Sequence, residues 1–313
     1  MTLQRLAQAT KQTLRFIAGV STLIPNVALR SETAAAPEVA PTTVVERAWD
    51  SAELIGPYNQ PRWSSRGRFS GGTDVYVIPP YDFVVDVDYQ ATIPREGRAK
   101  HLFTQELELG LPHRFQIAYE NNVEIKNGHS QVQSQVVEGR WALADWGKIP
   151  LNPTLFAEYK FGVGKDYDAA TPGDPIPRLA DAFELRLLLA EELSERVQWA
   201  LNVFHEHELA GECEWETGFS QSVTYSINGE HLKAGVEMQF IRSSDRDDRW
   251  HPEYEFLVGP SLAWKPTKRT RLDVAALFGA TEESPAAKIF AVFSYNFGKS
   301  DQEAEGPVST RNR

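Results

Sequence analysis

The sequence predicts an all-β chain, an antiparallel up-and-down transmembrane β-barrel of about twelve strands. Three observations predict it. From Asp82 to Gly298 apolar and polar residues alternate with period two, in segments of about 10 to 13 residues. The connections between segments alternate between tight turns and longer charged loops. Aromatic residues gather near the ends of the apolar faces, where a membrane–water interface would hold them.

The segments start near Asp82, Lys100, His113, Gln131, Pro153, Ala180, Arg196, Glu214, His231, Glu253, Arg269 and Ala287. Their alternation is plain in Phe115, Ile117, Tyr119, Asn121, Val123 and Ile125, which interleave with Gln116, Ala118, Glu120, Asn122 and Glu124. Trp215 to Ile227, Leu232 to Phe240 and Ile289 to Phe297 read the same way. Each gives one apolar and one polar or small face. An even count suits an up-and-down sheet closed with both ends on one side.

Tight turns fall after the second, sixth, eighth and tenth segments: Gly110-Leu111-Pro112, Glu191 to Glu195, Asn228-Gly229-Glu230 and Lys265 to Lys268. The fourth, Ala144 to Asn152, is longer. Odd-numbered connections include the loose Pro94 to Arg98, Lys165 to Arg178 and Ser243 to His251, although Asn127 to Ser130 and Leu209 to Gly211 are short. Short periplasmic turns and longer external loops place both termini in the periplasm. With that phase, Trp141, Trp199, Trp264, Tyr295 and Phe297 lie near periplasmic strand ends, and Tyr89, Trp215 and Tyr254 near external ones. A soluble β-sandwich is the competing fold, but its strands would be shorter and its inner faces apolar.

The rest of the chain divides accordingly. Residues 1–36 read as a signal peptide: Arg5, Lys11 and Arg15 precede the apolar Phe16 to Leu29, and Ala34-Ala35-Ala36 follows. Residues 37–80 read as a periplasmic linker or partial plug, 81–298 as the barrel, and 299–313 as a polar C-terminal tail. No stretch reaches 18 apolar residues, so no transmembrane helix is indicated, which transmembrane strands do not require. The net charge of −11 opposes nucleic-acid binding. Cys213 is the single cysteine, so no intramolecular disulfide forms, and its place in Glu212-Cys213-Glu214 reads as a bystander.

Chemistry would sit on the polar face. That face carries Asp86, Asp88, Glu106, Glu108, Glu120, Glu124 and Glu138, then Glu158, Glu184, Glu206, Glu237, Glu255 and Asp273. The bases are fewer: Arg140, Lys160, Arg186, Lys233, Arg271 and Lys288. Such a lining suits a cation-preferring pore. It equally suits a lumen knitted closed by ion pairs, with Phe156, Phe204 and Phe290 narrowing it. Twelve strands lie between filled eight-stranded barrels and open porins. No cofactor or metal is expected. His205-Glu206-His207-Glu208 on a strand splits histidines from glutamates onto opposite faces and is no helical His-Glu-x-x-His site.

The last segment, Ala287 to Gly298, resembles the C-terminal signal of Gram-negative outer-membrane proteins. Phe293, Tyr295 and Phe297 match its aromatic and terminal positions, although Phe297 is followed by residues 299–313. Residues 82–298 are similar to the phenol-degradation-type outer-membrane transporter barrels, in hairpins such as Gly259 to Pro266 followed by Arg271-Leu272-Asp273-Val274. The resemblance implies a bacterial outer-membrane location, with outer-membrane lipid, the barrel assembly machinery and small polar solutes as partners. The expected function is to pass or bind small polar solutes without catalysis. The alternatives are a structural or interaction barrel with a closed lumen and a lipid-modifying enzyme. Outer-membrane phospholipases separate their histidine and serine by one residue, whereas His129 and Ser130 are neighbours.

Overall fold

The computed structural model describes residues 54–55, 58–61, 73–167, 174–229 and 231–298. The signal peptide expected over 1–36 and the tail expected over 299–313 lie outside the described residues. Strands β1 (Leu54–Ile55) and β2 (Gln60–Pro61) form a short antiparallel ladder. Then come β3 (Phe83–Ile93), β4 (Lys100–Leu111), β5 (Phe115–Lys126), β6 (His129–Ala142), β7 (Thr154–Gly162) and β8 (Ala182–Glu192). The second half comprises β9 (Val197–Glu208), β10 (Trp215–Asn228), β11 (Leu232–Ser244), β12 (Glu253–Trp264), β13 (Thr270–Gly279) and β14 (Ala287–Asn296). These twelve strands form a closed barrel in which each pairs antiparallel with its neighbours in sequence and β14 pairs with β3. Closure matters because backbone groups in a bilayer must find their partners within the protein.

The pleat of this barrel is inverted relative to a soluble protein. Val87, Leu107, Ile117, Tyr119, Val137, Leu155, Leu185, Val203, Val236 and Phe293 point outward and are exposed. Their neighbours in the strands, such as Asp86, Glu106, Glu108, Gln116, Glu138 and Arg140, are buried. An exposed apolar belt around a polar interior is stable when the outer surface meets lipid. Strand lengths run from 9 to 14 residues, enough to cross the bilayer core as tilted strands.

Rings mark both ends of the belt. Where the chain enters and leaves the barrel, Phe115 stacks on Trp141 at 5.7 Å and Phe83 packs against Phe297 at 5.8 Å. At the opposite end Tyr89 meets Phe103 at 5.0 Å, and Arg249 lies 3.8 Å over the Trp215 ring. Three irregularities interrupt the described ladder, one of them a register shift between Ser226 and Asn228 where β10 meets β11. Asn122 faces Ser134 while Val123 faces Val132, so Gln133 is the extra residue of a bulge. Between Val258 and Ser261 the β12–β13 pairing lapses at Gly259 and Pro260, as proline's missing N–H requires.

The segment before β3 lies against the inner wall. Val75, Tyr76, Val77 and Ile78 are fully buried. Tyr58, Val75, Tyr76 and Val77 cluster with the inward-facing Ala142, Ala190 and Ala200 and with Trp146. The Tyr76 hydroxyl donates to the Ala144 carbonyl at 2.7 Å, and its ring meets Trp146 edge-on at 5.2 Å. The chain then crosses β4 at Gly110, where a Cβ would lie 2.0 Å from the Pro79 carbonyl oxygen. Only glycine permits that approach.

Candidate functional site in the barrel lumen

Every strand sends alternate side chains inward, so residues distant in sequence meet across the lumen. Three clusters result. In the first, Arg140 reaches Glu138 at 2.8 Å and both Glu106 and Glu108 at 3.4 Å, all through Nη2. All four side chains are almost wholly buried. Glu108 also accepts from Gln116 Nε2 at 2.8 Å, and Gln116 Oε1 accepts the Ile78 backbone N–H at 2.9 Å. The cluster is thus wired to the segment before β3.

In the second cluster Arg186 binds Glu184 through Nε at 2.6 Å and Nη2 at 2.9 Å, and reaches Glu158 at 3.4 Å. Its Nη1 donates to the Thr73 hydroxyl at 2.6 Å. Its guanidinium carbon sits 4.5 Å over the Phe156 ring, whose centroid also lies 5.2 Å from the Arg140 guanidinium. Beside it Lys160 pairs with Glu206 at 2.8 Å. These are charge-assisted contacts in a confined space, and the ring faces add cation–π attraction.

The third group lies around β9 to β14. Arg271 pairs with Asp273 at 2.8 Å, Lys233 donates to Gln198 at 2.9 Å, and Lys288 pairs with Glu255 at 2.9 Å. Glu237, Lys233, Arg271 and Asp273 border a void of only about 10 Å³. Asp86 is buried close to Glu106 and Glu108. Glu124 stands apart, at the far rim, bound to Lys100 at 2.7 Å.

A larger cavity of about 270 Å³ opens in the half of the lumen away from the chain's entry. Its wall includes Asp88, Thr104, Glu106, Glu120, Asn122, Glu158, Lys160, Glu184, Arg186 and Glu206, with Leu102 and Phe290 as apolar patches. Thr73 forms part of its floor. The inward positions were readable from alternation, whereas the contacts of Thr73, Gln116 and Gly110 were not. The visible signal for the first was Val75-Tyr76-Val77-Ile78, an apolar run without alternation.

Outside the lumen, His205 and His207 point away from it. His205 Nδ1 lies 2.8 Å from the Thr217 hydroxyl, and the His207 ring packs against Trp215 at 5.3 Å. Glu206 points inward to Lys160. His129 stacks on Tyr167 at 4.2 Å. Cys213 is buried, and Arg246 Nη2 contacts its sulfur, a basic neighbour that the acidic local sequence does not reveal.

Among solved structures, this barrel is similar to an outer-membrane channel from Pseudomonas putida F1, with a TM-score of 0.54 and 8% identity over 71% of this chain and 98% of that one. The shared fold is a closed antiparallel β-barrel. The barrel also aligns with the KdgM porin in complex with disordered oligogalacturonate (TM-score 0.46, 10% identity, 68% of this chain and 100% of that one). It aligns with the NanC porin as well (0.45, 11%, 69% and 99%). No family model and no curated protein matches the sequence.

Proposed function

We propose that this barrel resides in the bacterial outer membrane and passes or binds small polar solutes through its acidic lumen, without catalysis. The observation that carries the proposal is the asymmetry of that lumen. One half holds a polar cavity of about 270 Å³. In the other half Val75 to Ile78 pack against the inner wall and the separate void measures about 10 Å³. Residues 73–82 then act as a restriction on the periplasmic side, fastened by Arg186 to Thr73 and by Gln116 to Ile78. Excess carboxylate along the path favours cations over anions. The aromatic residues Phe293, Tyr295 and Phe297 of the final strand offer the outward-facing pattern that the assembly machinery would read.

Planar-bilayer recording tests this reading. The full chain should give small, cation-selective steps, and removal of residues 73–80 should enlarge them several-fold. Equal conductance with and without the segment would remove its assigned role. Silence from both forms, in protein that shifts mobility on heating and fractionates with the outer membrane, would favour the closed structural barrel.

A further inference from the structure

Resting on the membrane location proposed above, we infer that the lipid-facing surface of β4 to β6 is an interface with a second copy of this chain. The argument starts from three amides. Side chains directly opposite one another on antiparallel strands share a face of the sheet. Val87 faces Gln105, Gln105 faces Asn121, Asn121 faces Gln135, and Gln135 faces Phe161. Val87 and Phe161 are exposed on the outside of the barrel. The three amides therefore form one outward row across three neighbouring strands. Each stands near the middle of its strand. Each is flanked along that strand by outward apolar residues: Phe103 and Leu107, Tyr119 and Val123, Val132 and Val137.

Lipid tails offer an amide no hydrogen bond, and an unpaired polar group in hydrocarbon is costly. Within the row Asn121 Nδ2 donates to Gln105 Oε1 at 2.8 Å. Among the described residues the Gln135 side chain has no hydrogen-bond partner, and neither do Asn121 Oδ1 and Gln105 Nε2. Most of the row's bonding capacity is thus open to another surface.

The row also specifies what that surface is. A carboxamide is donor and acceptor together, so the row is complementary to itself. Across the sheet it reads glutamine, asparagine, glutamine in either direction. A two-fold axis along the membrane normal sets Asn121 against its own copy, with a glutamine of the row on each side. Such self-complementarity is what a two-fold dimer requires. Gln221, another amide on the lipid-facing belt, lacks this setting. It faces Leu201 and Met238 on β10, half-way round the closed barrel from β4.

A second feature lies on the same surface. Ile117, Gly139, Ala157 and Leu185 face one another in a row across β5 to β8. Ile117 and Leu185 are exposed, and a Cβ added to Gly139 would meet nothing within 4 Å. The two small residues leave a shallow depression between larger side chains. In membranes small residues let two surfaces approach closely, while amides bond across the contact.

Cysteine crosslinking of the full chain in outer-membrane fractions tests the inference, in a Cys213→Ser background that removes the single native cysteine. With copper phenanthroline as oxidant, Asn121→Cys should give a disulfide-linked dimer and Gln221→Cys should stay monomeric. Sedimentation equilibrium in detergent micelles supplies a second readout. Asn121→Leu combined with Gln135→Leu should weaken dimerisation by about tenfold. Gly139→Leu should weaken it by filling the depression, Asn121→Gln should keep it, and Gln221→Leu should change nothing. Heat-dependent gel mobility verifies that each variant is folded. The inference is overturned if the wild type is a monomer at every concentration, or if the leucine variants dimerise like the wild type. It is also overturned if Gln221→Cys crosslinks as fully as Asn121→Cys, or if Asn121→Cys links only to a different protein. Monomers that fractionate with the outer membrane and conduct would remove this interface alone. A dimer that passes no solute would keep the interface and remove the transport reading.

Discussion

Replacing Arg140 by leucine should destabilise the barrel by about 3–5 kcal/mol, the cost of removing one partner from a buried ion pair. The structure explains why the upper part of that range is reasonable. One nitrogen, Nη2, serves Glu138 at 2.8 Å and Glu106 and Glu108 at 3.4 Å, and all four side chains are at most 2% exposed. Without Arg140 three crowded carboxylates lose the cation that they share. Leucine would occupy part of the volume of the arginine stem, so the loss is mainly electrostatic. Urea unfolding in detergent micelles, followed by tryptophan fluorescence, measures the difference. A compensated variant, Arg140→Leu with Glu106→Gln, Glu108→Gln and Glu138→Gln, should recover most of the stability, because exchanging a whole buried charge group is often near neutral. A loss below about 1 kcal/mol for Arg140→Leu would refute the reasoning. So would a compensated variant no more stable than the single one.

Gly110→Ala places a Cβ against the Pro79 carbonyl; conductance should rise towards that of the form lacking residues 73–80 while circular dichroism stays that of a folded barrel, and unchanged conductance would show that the segment gives way locally. At the rim, burial alone would raise the Asp181 carboxyl, but hydrogen bonds from Arg178 at 2.7 Å and the Gly162 amide at 3.0 Å outweigh it and hold the group below the usual aspartate range. A lowered value means that this contact stabilises the rim above the free-chain value of about 3.9 and is lost as pH falls through the folded value. Carboxyl NMR should find Asp181 titrating below about 3.9 and moving up in Arg178→Ala; titration at or above that value in the wild type would contradict the assignment. Trp250 is 91% exposed, so Trp250→Ser should leave unfolding within about 0.5 kcal/mol of the wild type, and a larger loss would reveal packing that the structure does not contain.

Strand positions were legible because period two leaves few registers open once one face must meet lipid. Phe115 to Ile125 alternate without a break, and β5 spans Phe115–Lys126. The bulge at Gln133 was not legible, since it depends on how β5 and β6 pair and not on either strand alone. The inward positions of Glu106, Glu138, Arg140, Glu158, Glu184 and Arg186 followed from parity, but their grouping around two arginines did not. Grouping depends on strand stagger across the barrel, which sequence spacing does not encode. Residues 73–82 were the hardest to place. Val75 to Ile78 are consecutively buried, so they carry no period, and their partners lie on strands far along the chain.

The seam between β3 and β14 joins residues such as Val85 and Tyr295, the pairs most distant in sequence in the sheet. Loop-closure entropy therefore makes this seam the slowest to form. Ala142, Ala190 and Ala200, apolar partners of Val75 to Val77, sit on β6, β8 and β9, all available while the sheet is still an open, curling ribbon. The interior can thus be occupied before the cylinder shuts, and a newly inserted molecule need never present an unfilled acidic conduit to the cell that is making it.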